Sequence, residues 1–146
     1  MYQRILVPID GSATSEYALD EVIKFAQQQN VQIKLVNVLE DVWYFDTESC
    51  SNYSELVDSM RRHGEKILKQ AQNKLQQVGI TAEIKLLEAR GERIANVIIT
   101  EAKNNLANLI IIGTHGRSGF SRMLLGSVAE SVVRVAHIPI LLIRAR

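Results

Sequence analysis

Five strand-like stretches, alternating with segments whose apolar residues recur at helical spacing, set what this chain can fold into. The first, Ile5-Leu6-Val7-Pro8-Ile9, is continuously apolar, as in a strand covered on both faces. Asp10-Gly11-Ser12 follows as a turn with Ser12 placed to cap a helix, and Thr14 is a further helix starter. Ala18, Leu19, Val22, Ile23 and Ala26 then trace one helical face. A second strand reads Ile33-Lys34-Leu35-Val36-Asn37-Val38-Leu39, and a long helix carries Leu56, Met60, Ile67, Leu68, Ala71, Leu75 and Val78. Gly79 stands where a helix C-terminal glycine belongs. Ala82-Glu83-Ile84-Lys85-Leu86-Leu87 alternates, which predicts a half-covered strand near a sheet edge. Ile94, Val97, Ile98 and Ala102 mark a third helix, Leu109-Ile110-Ile111-Ile112 a fourth strand, and residues 128–136 a fourth helix. Ile138-Pro139-Ile140-Leu141-Leu142-Ile143 is the fifth strand.

This order predicts an α/β fold: a five-stranded parallel, doubly wound, Rossmann-like sheet with four helices, in one domain over residues 1–146. In such sheets ligands bind beyond the carboxyl ends of the strands, where the strand order reverses. Attention therefore falls on the segments after strands one, two and four. Composition narrows the function classes. Hydrophobic residues at 47% and charged residues at 23% fit a globular chain rather than a disordered one. A formal net charge of +1 excludes the bulk basic field of a nucleic-acid binder and offers nothing to an acidic membrane. No apolar run approaches the ~18 residues that span a bilayer. The start of the chain has no secretory pattern, and the single cysteine, Cys50, permits no internal disulfide, so a cytoplasmic protein is expected. The near-neutral total conceals an asymmetry: residues 1–60 carry three basic and ten acidic side chains, residues 61–146 fourteen basic and six acidic.

The segment after the fourth strand holds the chemistry: Gly113-Thr114-His115-Gly116-Arg117-Ser118-Gly119-Phe120-Ser121-Arg122, then Met123-Leu124-Leu125-Gly126-Ser127. Glycines this dense let the backbone approach a ligand closely and turn N–H groups into a common anion nest. The loop feeds a helix whose first N–H groups and positive dipole end favour phosphate. Arg117 and Arg122 add charge, and Ser118, Ser121 and Ser127 add hydroxyl donors. Two familiar phosphate loops do not match, since the segment has no lysine and the first turn has Gly11 alone. Nor is it a nucleophile elbow, because Phe120 stands where the last glycine of GxSxG belongs. The spacing present is Gly113-x2-Gly116-x9-Gly126-Ser127.

That spacing, with Ile5-Leu6-Val7-Pro8-Ile9-Asp10-Gly11-Ser12, Val36-Asn37-Val38, Leu124-Leu125-Gly126-Ser127-Val128-Ala129-Glu130 and Ile138-Pro139-Ile140, resembles the nucleotide-binding branch of the universal stress protein family over nearly the whole chain. The resemblance implies the adenine nucleotide alpha hydrolase-like fold and a site for ATP or AMP. Pro8, Ile9 and Asp10 would meet the adenosine moiety, with Asp10 also a candidate ligand for Mg bound with the nucleotide. Val38 would pair its backbone with the adenine edge. Ile112 and Gly113 would line the ribose and α-phosphate, and Gly116, Arg117, Gly126, Ser127 and Val128 the phosphates. No position of the family's phosphate motif departs from pattern. The resemblance further implies a stress-response regulator with little or slow hydrolysis. It also implies a homodimer paired through the last strand, residues 138–144, from Ile138 to Arg144.

Other readings of the same residues stand beside it. Ser127-Val128-Ala129-Glu130 is also a capping box, in which Ser127 and Glu130 satisfy each other's backbone N–H groups. Asp10 is also a turn former beside Gly11. His115, His63 and His137 are too scattered for a zinc site and have no orienting acid for a triad. Residues 40–58 hold six acidic side chains and no basic ones, together with Trp43, Tyr44, Phe45 and Tyr53. They read as a solvated connection or, alternatively, a lid beside the ligand. Arg61 and Arg62 read as a solvated helix face, and Cys50 as a bystander. Two further function classes remain in view: an ATPase or nucleotidyl-transferring enzyme, and an interaction module independent of ATP. The loop offers phosphate donors but no general base, lysine or carboxylate pair for in-line transfer.

Overall fold

The computed structural model describes residues 2–40, 50–115 and 125–144. The elements run β1 (Arg4–Pro8), α1 (Ala13–Gln28), β2 (Gln32–Leu39), α2 (Cys50–Gln77), β3 (Ala82–Glu88), α3 (Ile94–Asn104), β4 (Leu109–Gly113), α4 (Ser127–Val135) and β5 (Ile140–Ile143). The strands form one parallel sheet in the order β3-β2-β1-β4-β5. This is the doubly wound arrangement the alternation predicts, with the order reversing at β1, and the alternating strand β3 lies at an edge as expected.

Strand alternation sorts the core into two layers. Ile5, Val7, Leu109 and Ile111 face Ala18, Leu19 and Val22 of α1 and Leu68, Ala71 and Leu75 of α2. Leu6, Val36, Ile110 and Ile112 face the other way, onto Ile98 and Ala102 of α3 and Val132 of α4. Because both faces are covered, Ile5, Leu6 and Val7 are wholly buried. Each such side chain contributes ~1.5–3 kcal/mol relative to an exposed one.

The helix ends follow local chemistry. Asp10 Oδ1 accepts the Ser12 N–H at 2.9 Å, and Gly11 turns the chain at φ +83°. The Ser12 hydroxyl oxygen then accepts the Ser15 N–H at 3.3 Å and caps α1 as predicted. At the end of α2, Gly79 (φ +81°) donates to the Gln76 carbonyl at 3.0 Å and Ile80 to that of Leu75 at 2.9 Å, a Schellman pair.

Ion pairs tie the layers laterally. Glu101 of α3, 7% exposed in its side chain, meets Lys34 of β2 at 2.8 Å and Lys85 of β3 at 3.1 Å. Burial pushes the Glu101 carboxyl pKa up, but hydrogen bonds and charge from the two lysines outweigh it and hold the group below the usual carboxylate value. Lys74 of α2 bridges Glu16 and Asp20 of α1 at 3.1 and 3.0 Å. Its own burial opposes the charged form, yet the two carboxylates raise its pKa above the ordinary lysine value.

Three sequence expectations are corrected. The capping box does not form: the N-cap of α4 is Gly126, and Ser127 is the first helical residue. Gly126 is fixed there by donating its N–H to the Thr114 carbonyl at 2.6 Å, and Glu130 turns instead to Arg134, one turn on, at 2.7 Å. Helix α2 begins at Cys50, so only residues 40–49 are left between β2 and α2. Tyr53, Ser54 and Glu55 near its start are exposed, so no continuous buried stripe marks where the helix begins. Strand β5 starts at Ile140 rather than Ile138, with the Pro139 carbonyl joining the ladder by accepting the Ile110 N–H at 3.1 Å. Arg61 stays on the solvated face of α2, its side chain 43% exposed, and pairs there with Glu88 at the end of β3 at 2.6 Å. Among the described residues no helix is long and apolar enough to cross a membrane.

Pro8 explains why the sheet opens at one end. Arg4 accepts from Asn108 on the β4 side, whereas Ile9 donates to Val36 on the β2 side, at 2.9 and 2.8 Å. Alternation therefore turns even positions of β1 toward β4, and at position 8 proline has no N–H to donate. The registered β1–β4 pairing is Ile5 with Leu109 and Leu6 with Ile110, while β1 and β2 remain paired through Pro8 and Val36. Beyond Leu6 the ladder to β4 is not continued.

Candidate functional site

A cleft of about 910 Å³ occupies the carboxyl ends of β1, β2 and β4, at the reversal of strand order. Each wall comes from a different part of the sequence. Pro8, Ile9 and Asp10 enter from the end of β1, and Val38 from β2. Ile112 and Gly113 enter from β4, and Gly126, Ser127 and Val128 from the start of α4. The described residues singled out in the sequence thus meet around one cavity. Gly116 and Arg117 lie outside the described residues, as do Trp43, Tyr44 and Phe45.

The β2 wall presents backbone. Ile9 donates to the Val36 carbonyl at 2.8 Å, but the Ile9 carbonyl is taken by the Asn37 side-chain amide at 2.9 Å. Val38 has the same strand phase as Val36, so its N–H and C=O turn to the side that β1 has vacated. A donor and an acceptor thus stand side by side at Val38 on this wall. On the far side, α4 begins without a side-chain cap. By helix geometry the N–H groups of Ser127, Val128 and Ala129 find no acceptor within the helix, and all three residues line the cleft. This end carries the positive pole of the helix dipole. No lysine or arginine is among the described lining residues; Asp10 and Glu40 are the carboxylates there.

Gly113 has a packing reason of its own. A Cβ there would come within 2.6 Å of the Thr14 methyl, so the first turn of α1 needs a glycine at the end of β4. Thr114, buried at 4% exposure, joins three segments: its N–H donates to Ile143 of β5 at 2.9 Å and its carbonyl accepts from Gly126. Its hydroxyl lies 2.9 Å from His115 Nδ1. His115 Nε2 is buried with no hydrogen-bond partner among the described residues, and His115 lines the cleft.

Sequence reasoning missed the wall supplied by α2. Met60, His63, Gly64 and Ile67 line the cleft, and Gly64 brings the helix against β2 and β3. A Cβ on Gly64 would fall 2.7 Å from Asn37 Oδ1 and 2.8 Å from Leu86 Cδ1. A signal was available, because glycine inside a long amphipathic helix costs ~1 kcal/mol and marks close approach. For a metal, the described residues contain no cluster of three histidine, cysteine, aspartate or glutamate side chains. A single carboxylate such as Asp10 fits the way Mg²⁺ is held with nucleotide phosphates, through one or two carboxylates and water.

Comparison with known proteins agrees with this architecture. The profile of the universal stress protein family matches residues 1–144. The universal stress protein YxiE of Bacillus subtilis is 32% identical over 152 aligned positions, covering 99% of this chain and all of the relative. Among solved structures, a universal stress protein family member from Burkholderia pseudomallei is 32% identical with a TM-score of 0.78, covering 99% of this chain and 97% of its own. The universal stress protein of Archaeoglobus fulgidus, solved in complex with dAMP, shares the fold at 24% identity and TM-score 0.72, over 97% of this chain and 98% of its own.

Proposed function

The chain belongs to the universal stress protein family, and we propose that its cleft binds an adenine nucleotide, ATP or AMP. One observation carries the proposal: an exposed backbone donor–acceptor pair at Val38 and an uncapped helix N-terminus at Gly126 face one cleft at the reversal of the sheet. The first suits the edge of a purine base that offers one acceptor beside one donor, as adenine does. The second suits phosphate. The complex of the Archaeoglobus fulgidus protein with dAMP supports the same reading.

In this reading Val38 reads the base edge, while Pro8, Ile9 and Asp10 hold the adenosine. Ile112 and Gly113 border the ribose and α-phosphate. The N–H groups of α4, the Ser127 hydroxyl and the glycine loop with Gly116 and Arg117 hold the remaining phosphates. Asp10 would hold Mg, which supplies charge neutralisation to the phosphates. None of the described lining residues offers a lysine or arginine to a transferring phosphoryl group, so these residues bind and orient rather than drive transfer. The protein then acts as a cytoplasmic, nucleotide-dependent stress-response regulator with slow hydrolysis at most. Its edge strand β5, paired within the sheet to β4 alone, serves a homodimer.

Titration calorimetry with ATP, AMP, GTP and adenosine tests the site, and mass spectrometry of co-purifying small molecules tests which nucleotide the cell supplies. Saturable ATP or AMP binding with GTP excluded is expected. Absence of adenine-nucleotide binding overturns the proposal. Sedimentation at micromolar concentration tests the dimer, and a monomer there sinks it.

A further inference from the structure

We propose that Asn37 is a positioning residue for base recognition: its side-chain amide takes the place of the next rung of the β1–β2 ladder and keeps the Val38 backbone unpaired for a ligand. The inference rests on the nucleotide reading above and names what holds the base-reading edge open. Bonds between β1 and β2 alternate regularly along the strands. The Gln3 carbonyl accepts the Gln32 N–H at 2.7 Å at one end, and Ile9 donates to the Val36 carbonyl at 2.8 Å at the other. The next rung of the same alternation would run from the Val38 N–H to the Ile9 carbonyl. That carbonyl accepts Asn37 Nδ2 instead, at 2.9 Å, and the registered β1–β2 pairing ends at Pro8 with Val36.

Asparagine is a poor strand residue, yet it stands here between Val36 and Val38 on an interior strand of the sheet. The bond to Ile9 explains its presence. Because a carbonyl only accepts, the amide nitrogen must face Ile9, which leaves Oδ1 toward α2. Gly64 provides the room, since a Cβ there would fall 2.7 Å from Oδ1. Helix α2 thus backs the amide from one side while Ile9 holds it from the other. Asn37, Gly64 and Val38 all line the cleft. Asn37 acts on the base through Ile9 and Val38, by denying Val38 its partner within the protein.

The test uses Asn37→Ala, which removes the amide, and Asn37→Asp, which keeps its shape but at neutral pH offers the Ile9 carbonyl no donor. Hydrogen exchange followed by NMR reads the rung without any ligand. In wild type the Val38 amide should exchange faster than that of Val36, which the ladder holds. In both variants it should slow by roughly tenfold or more as the Ile9 carbonyl captures it. Calorimetry reads the consequence: adenosine and ATP should each bind about tenfold more weakly, by the same factor, because the lost bond is at the base. Val38 as protected as Val36 in wild type, or unchanged in both variants, overturns the inference. So does undiminished adenosine affinity in both, or a loss for ATP that spares adenosine. Each of these results leaves the nucleotide reading standing. Wild-type protein that binds neither ATP, AMP nor adenosine overturns both readings together, and that titration comes first.

Discussion

Gly64→Ala sets two well-known effects against each other, and the structure says which wins. Alanine in a helix interior is favoured over glycine by ~1 kcal/mol, so propensity alone predicts a more stable protein. The added methyl, however, would stand 2.7 Å from Asn37 Oδ1 and 2.8 Å from Leu86 Cδ1. Carbon contacts relax at ~3.5–4.0 Å, so α2 must retreat or Asn37 must rotate by most of an ångström. Overpacking of this kind costs ~1–3 kcal/mol. If Asn37 turns away it also releases the Ile9 carbonyl, held at 2.9 Å, a loss of ~0.5–1.5 kcal/mol. After subtracting the propensity gain, the expected net destabilisation is about 2 kcal/mol. For a chain of this size that lowers Tm by roughly 4–8 °C. Urea unfolding with an unchanged m-value is the assay, and the double variant with Asn37→Ala should recover part of the loss because its clash is gone. Nucleotide affinity should fall as well, since the Ile9 carbonyl becomes free to recapture the Val38 N–H. A Gly64→Ala protein as stable as wild type, or more so, refutes the close approach of α2 and the account of the β2 wall built on it.

Other expected outcomes can be checked alongside. Ser127→Ala should leave stability within ~0.5 kcal/mol, because Ser127 is not the cap, whereas Ser12→Ala should cost ~1 kcal/mol; denaturant melts separate them. Ser127→Ala should still weaken ATP binding in calorimetry. Glu101→Gln leaves Lys34, 14% exposed in its side chain, without its carboxylate partner and should cost about 3 kcal/mol. Because the Glu101 pKa is lowered on folding, its contribution is present above the ordinary value of 4.5 and is lost as pH falls below that through the folded value; in Glu101→Gln this part of the acid sensitivity should vanish from melts taken across pH. Asp10→Asn keeps an oxygen for the Ser12 N–H, so the melt should be unchanged while any slow ATP turnover with magnesium disappears.

The fold was legible because its strands are covered on both faces and write continuous apolar runs, as at Ile5 to Ile9 and Leu109 to Ile112. Glycines at chain reversals were equally readable, as Gly79 shows. Three kinds of information were not. Ser127 and Glu130 match a local capping pattern, but the helix start is set by Thr114, distant in sequence, and local pattern cannot weigh a tertiary bond. The start of α2 carries no continuous buried stripe, so the helix appeared to begin later than it does. The α2 wall of the cleft depends on how far one helix leans onto two strands, a distance that Gly64 permits but does not specify. The gathering of Asp10, Val38, Gly113 and Ser127 was anticipated because the carboxyl ends of neighbouring parallel strands must lie together. What the sequence left open was how β1 makes room, and that follows from Pro8 and Asn37.

The cleft takes its lining from Pro8 through Ala129, and β1, the first strand made, becomes the middle of the sheet. A chain emerging from the ribosome can pair β1 with β2 and add β3, completing one flank with its packed helices. The α4 wall of the cleft has no counterpart until α4 is translated and Gly126 finds Thr114. The cleft is therefore complete only once synthesis has passed residue 129. A fragment ending after β3 lacks the β4 and α4 walls of that cleft.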